Sequence, residues 1–134
     1  MTDTAPSAHP ADPADPSVDL GGIGIWTFAL DAQPAAVAAE MAAEIEALGY
    51  GAIWVPEAVG RDPMVNAMII LGATERIAAC TGIASIYARG AMTMVSGWKA
   101  ISEAHPGRFL LGLGVSHQPA VEGMRRQTYG PPLA

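Results

Sequence analysis

RFLLGLGVSH, residues 108–117, reads as a buried strand that breaks into a glycine turn carrying a serine and a histidine. An apolar run this short, bounded by turn residues, fits a strand covered on both faces; a helix would need a longer segment with a 3.6-residue period. The glycines of GLGVSH let a planar ring or a phosphate approach the backbone. A helical pattern follows from about Pro119 to Arg126, and the amides of a helix N-terminus favour an anion. The turn departs from the dinucleotide fingerprint GxGxxG. His117 takes the place of the third glycine, and no acidic residue about 20 positions on completes the pattern.

The same strand-then-helix unit repeats upstream. Residues 92–104 form a helix with Val95, Trp98 and Ile101 inward, ended by HPG at 105–107. Ile77 to Ile86 supply the strand before it, with ARG at 88–90 as the loop. Asp62 and Pro63 are an N-cap and first-turn pair for a helix over about 63–73 that carries Met64, Met68, Ile69 and Leu71. GAIWVPE, residues 51–57, is a strand ended by Pro56, which has no amide hydrogen for a ladder. Gln33 and Pro34 open the first helix, with Val37, Met41, Ile45 and Leu48 on one face, Glu40 and Glu44 beside it, and Gly49 as its stop. GGIGIWTFAL, residues 21–30, is the first strand. Four such units with short loops predict an α/β fold of parallel strands and right-handed crossovers, either a doubly wound sheet or part of a barrel.

Composition narrows the functional classes. The chain of 134 residues is 51% hydrophobic and 15% charged, which suits one packed domain. Its apolar residues form no run of about 20 that could span a bilayer. Asp3, Asp12, Asp15 and Asp19 account for most of the net charge of -6, and without a basic stripe the chain is not expected to bind nucleic acid. Residues 1–19, MTDTAPSAHPADPADPSVD, have almost nothing to bury and read as a disordered leader, with His9 a bystander. The single Cys80, in a predicted buried strand, fits a reducing cytoplasm and a packing role. His9, His105 and His117 are widely separated, so no metal site is expected.

In either architecture ligands gather at the carboxyl ends of the strands. Those positions are Thr27 and Phe28 after the first strand and Glu57 and Arg61 after the second. Ser85, Tyr87 and Arg89 follow the third, and Gly114, Ser116 and His117 the fourth. Each has a plain alternative: Glu57 and Arg61 as a solvated pair, Tyr87 and Arg89 as loop residues, Ser116 as an N-cap, His117 as a cap or a solvent-facing side chain.

AIWVPEAVGRDP at 52–63, ACTGIASIYAR at 79–89 and HPGRFLLGLGVSH at 105–117 resemble the luciferase-like monooxygenases, in particular the oxidoreductases that use the deazaflavin coenzyme F420. The resemblance runs from about Gly22 to the last residue. It implies a (β/α)8 TIM barrel, of which residues 20–134 would be about the first four β/α units, cut short after the fourth strand. It implies hydride transfer between coenzyme F420, or alternatively FMN, and an organic substrate. Glu57 matches the acidic position beside the ring, although Ala58 stands where some relatives have histidine. Gly82 and Ile83 match a cis non-proline peptide that forms a bulge behind the ring. Ser116 and His117 match the turn that approaches the cofactor, with His117 where some members carry a catalytic glutamate. Glu57 and His117 are therefore the expected catalytic pair, and Gly82, Ile83, Ser85, Gly114, Val115 and Ser116 the expected cofactor-binding set. Gly90 and Ala91 depart from the family pattern at the start of the third helix.

Four strands of eight would leave two open edges and an exposed apolar interior. Self-association, or pairing with a complementary half-barrel, is the expected consequence. A non-catalytic half-barrel serving as an interaction module is the reading from another functional class.

Overall fold

A computed structural model describes residues 17–130 of the chain. Strand and helix alternate as β1 (Gly24–Trp26), α1 (Ala35–Ala47), β2 (Ala52–Val55), α2 (Pro63–Gly72) and β3 (Ala78–Thr81). β4 (Ala84–Ser85), α3 (Ala91–Ala104), β5 (Phe109–Leu110) and β6 (Leu113–Gly114) follow, and then a π-helical segment, Pro119–Met124. β1, β2, β3 and β5 form a parallel sheet in that order, and β4 pairs with β6, also in parallel. Within the described residues β1 and β5 are the edges of the larger sheet.

Alternation along the strands sorts the side chains into two layers. Ile53, Val55, Ala79 and Phe109 point to the helices and join Ala38, Ala42, Ala67, Ile70, Leu71, Met94 and Ile101 in the main core. Ala52, Ala78 and Cys80 form a second cluster, against which Val18, Leu20, Trp54 and Leu110 pack. Burial pushes the Cys80 thiol up to about 12, so it is neutral and inert in the folded chain. Val18 and Asp19 fall within the stretch read as a leader, and Val18 packs on this cluster; residues 1–16, His9 among them, lie outside the described residues.

Three sequence expectations are corrected. The first strand is three residues, not ten: Thr27 makes the last ladder bond, to the Trp54 carbonyl, and its hydroxyl then accepts from the Ala29 amide and starts a turn. In α1 the buried residues are Ala38 and Ala42, with Met41 and Ile45 packed beside them, while Val37 and Leu48 are exposed. Small alanines, not the largest side chains, let α1 approach its neighbours closely. In α3 the inward stripe is Met94, Trp98 and Ile101, and Val95 is exposed. Two helix-end signals hold. Asp62 caps α2, its Oδ1 accepting from the amides of Met64 at 2.9 Å and Val65 at 3.2 Å, and Gly49 follows α1 with φ +90°.

Glu46, near the end of α1, ties the sheet to that helix. Its carboxylate accepts the amides of Glu75, Arg76 and Ile77, the last two at 2.7 and 2.8 Å. Desolvation alone would raise its pKa, but those three amides and the Arg76 charge outweigh it and hold the carboxyl below its ordinary value of 4.5. A depressed carboxyl stabilises the fold fully above the unfolded value and less as pH falls through the folded one. Stability is therefore expected to drop as pH falls from about 4.5, and Glu46→Gln to flatten that drop, read as urea midpoints across the acid range.

Candidate active site

The two long strands read from the sequence are each interrupted, and the interruptions build the site. Residues 77–86 split into β3 and β4 around Gly82–Ile83, whose peptide is cis. Residues 108–114 split into β5 and β6 around Leu111 and Gly112. The breaks lie side by side: the Thr81 hydroxyl donates to the Gly112 carbonyl and accepts from its amide, both at 2.8 Å. The Ala84 amide also donates to the Gly112 carbonyl at 2.8 Å.

At the carboxyl ends of the strands this leaves a cleft of about 480 Å³. Glu57, Gly82, Ile83, Ser116 and His117, all expected at the site, line it. Ser85, Gly114 and Val115 are not on its wall. Ser85 pairs in register with Gly114 behind it, and a side chain at Gly114 would run into Ile83. Ser116 has φ 59°, the left-handed region, which turns the chain sharply before His117. The His117 carbonyl accepts from the amides of Ala120 and Val121 and so starts the π-helical segment; the imidazole is exposed at the cleft.

Sequence reasoning passed over Trp26, Met124 and Arg125, which also line the cleft. Trp26 donates its indole N–H to the Gly82 carbonyl at 2.7 Å and meets Phe28 edge to face, with centroids 4.8 Å apart at 83°. Its position in an apolar strand gave no hint of that polar contact. Arg125 follows the π-helical segment, whose irregular turn has no periodic signature.

Glu57 is the hub. Its Oε2 accepts from the Ser85 amide at 2.7 Å and Arg89 Nη1 at 3.0 Å. Its Oε1 accepts from Arg89 Nη2 at 2.9 Å and Arg125 Nη2 at 3.1 Å. The expected pair with Arg61 is not formed. Arg61 instead reaches the carbonyls of Leu30 and Gln33 and the Asn66 side chain, which fastens the loop after β1 to α2. Arg89, read above as a loop residue, keeps its side chain only 10% exposed, with Asp62 Oδ2 at 2.6 Å as a further partner. Burial opposes its charge, but Glu57 and Asp62 overcome that and raise its pKa, so it stays a cation.

Parallel β/α units with a cleft at the strands' carboxyl ends are the architecture of a (β/α)8 barrel, of which these residues build a part. The chain belongs to the luciferase-like monooxygenase family, which matches residues 6–134. It is 30% identical over 112 residues to a Mycobacterium tuberculosis protein named as a coenzyme F420-dependent oxidoreductase, a match covering 84% of this chain and 31% of that one. Among solved structures, the coenzyme F420-dependent tetrahydromethanopterin reductase of Methanopyrus kandleri superposes with TM-score 0.65 at 18% identity, over 84% of this chain and 30% of the reductase. A type II Baeyer–Villiger monooxygenase of Pseudomonas putida, solved with FMN, gives TM-score 0.65 at 14% identity, over 76% of this chain and 31% of the other. A monooxygenase of Streptomyces bottropensis gives 0.66 at 16%, over 79% and 36%. The chain thus spans about a third of the length of these relatives, and the architecture shared with them is that of a partial TIM barrel. No helix among the described residues is long and apolar enough to cross a membrane.

Proposed function

We propose that the cleft binds the ring of coenzyme F420, with FMN as the alternative, and that the protein serves hydride transfer between that ring and an organic substrate. The observation that carries this is the lining of the cleft. Trp26, Phe28, Ile83 and Met124 offer apolar faces, and Glu57, Ser116, His117 and Arg125 a polar margin. Such a lining fits a planar conjugated group with oxygen and nitrogen atoms along its rim. When bound, a deazaflavin supplies two-electron hydride chemistry, whereas FMN also permits oxygen activation.

The chain's own residues would have separate duties. Trp26 holds the Gly82 carbonyl and fixes the Gly82–Ile83 bulge against the cleft. Glu57 holds Arg125 and the Ser85 amide in place, and its four donors suit a positioning role better than proton transfer. His117, exposed at the cleft, is the group placed to exchange a proton with the ligand, since an imidazole ring offers both a donor and an acceptor nitrogen.

Titration of the purified chain with coenzyme F420 and with FMN, followed by fluorescence, tests the reading. Saturable binding of one of them is expected; no change with either at high micromolar concentration would sink it. A Cβ at Gly114 would lie 2.5 Å from Ile83 Cγ1 and 2.8 Å from its Cδ1. Gly114→Val is therefore expected to push the Ile83 side chain into the cleft, leave the fold standing, and weaken ring binding about tenfold or more.

A further inference from the structure

The cleft contains a cation that shares its one carboxylate partner among the described residues with a second guanidinium. Glu57 is held by both nitrogens of the Arg89 fork and by the Ser85 amide before Arg125 adds a single bond through Nη2. Asp62 balances the charge through Arg89, but its oxygens go to Arg89 and to the first amides of α2 and give Arg125 no hydrogen bond. Arg125 is also the more open of the two arginines, its side chain 26% exposed against 10% for Arg89. Its Nε and Nη1 have no hydrogen-bond partner among the described residues. The guanidinium lies where the apolar cleft meets a second, more polar one of about 490 Å³, and it lines both.

An arginine half-saturated by a carboxylate, beside an aromatic wall, has a defined complement. Its fork matches the two oxygens of a carboxylate, and a site of low polarity strengthens that pairing. The Trp26–Phe28 pair favours a flat or apolar body attached to the anion. We propose that Arg125 is the specificity-determining residue of this cleft and that it selects an organic substrate bearing a carboxylate next to an aromatic or apolar group. The inference rests on the preceding reading of the cleft as the reaction site, and names the class of substrate that site accepts.

Benzoate and its neutral isostere benzamide are suitable probes, titrated into the full chain while tryptophan fluorescence is followed; Trp26 at the cleft is the reporter. Benzoate is expected to bind about tenfold or more tightly than benzamide. Arg125→Gln should erase the preference, Arg125→Lys should retain part of it, and Arg126→Gln, outside the cleft lining, should leave it intact. Raising the salt concentration should weaken benzoate binding and leave benzamide unaffected. Equal affinities in the unaltered chain, no saturable benzoate binding, or a preference that survives Arg125→Gln would each overturn the proposal. Because Arg125→Lys keeps the charge that faces Glu57, it decides the matter even if the glutamine variant unfolds. The FMN and F420 titrations are read separately. Cofactor binding without a benzoate preference defeats only the substrate proposal, and a benzoate preference without cofactor binding defeats only the cofactor reading. Loss of FMN or F420 affinity in Arg125→Gln, with no benzoate preference in the unaltered chain, would assign the arginine to the cofactor's oxygens and likewise overturn it.

Discussion

Glu57→Ala is expected to lower folding stability by about 3–5 kcal/mol, the usual effect of removing one partner from a buried ion pair. The side chains of Glu57 and Arg89 are only 8% and 10% exposed, so the arginine left behind cannot recover its hydration without opening the loop. Asp62, at 2.6 Å from Arg89, compensates part of that charge and places the effect toward the lower end. The Ser85 amide also loses its acceptor, which adds the cost of a buried unsatisfied donor. Urea unfolding should show the midpoint fall with the slope unchanged. Adding Arg89→Met to Glu57→Ala should recover much of the loss, since an apolar side chain of similar length needs no counter-ion. A Glu57→Ala protein as stable as the original, or a double variant less stable than the single one, would show that the pair does not hold the cleft floor.

That network explains where sequence reading succeeds and where it stops. The order of strands and helices is legible because each rests on local signals: the Asp62–Pro63 cap, the Gly49 stop, and short apolar runs bounded by turns. The positions at the strand ends are legible for the same reason, and five of the eight expected site residues do meet around one cleft. What escapes is set by contacts between distant parts of the chain. Glu57 and Arg61 are neighbours in sequence, yet their partners come from β4 and the loop after it in one case and from the loop after β1 in the other. Arg125 is 68 residues from Glu57, and no spacing rule links them. The inward face of α1 is misjudged in part for a related reason: hydrophobic periodicity weights large side chains, whereas close approach here selects Ala38 and Ala42 beside Met41 and Ile45. The bulge at Gly82–Ile83 is reached only through the family resemblance and the break at Gly112 not at all, because the contacts that join them cross between strands.

Gly112→Val isolates that mutual accommodation. A Cβ at this position would fall onto the Thr81 carbonyl oxygen, a backbone atom with no flexible end to swing away. The strand would have to retreat, and retreat breaks the reciprocal pair between Gly112 and the Thr81 hydroxyl together with the bond from the Ala84 amide. Overpacking of a tight site costs about 1–3 kcal/mol, and each of the three lost hydrogen bonds adds about 1 kcal/mol, so a total of roughly 4–6 kcal/mol is expected. Ligand binding should fail with it. The turn bearing Ser116 and His117 leaves β6, and the Gly82–Ile83 bulge leaves β3, so moving the two breaks apart separates the cleft's opposite walls. The contrast with Gly114→Val is diagnostic, since there the obstructing atoms belong to the Ile83 side chain and can move. If the site is built as described, thermal or urea unfolding should detect Gly112→Val first and most strongly, whereas Gly114→Val should be nearly silent in unfolding and visible in cofactor titration. Equal behaviour of the two variants in both measurements would mean that Gly112 does not join the two halves of the cleft.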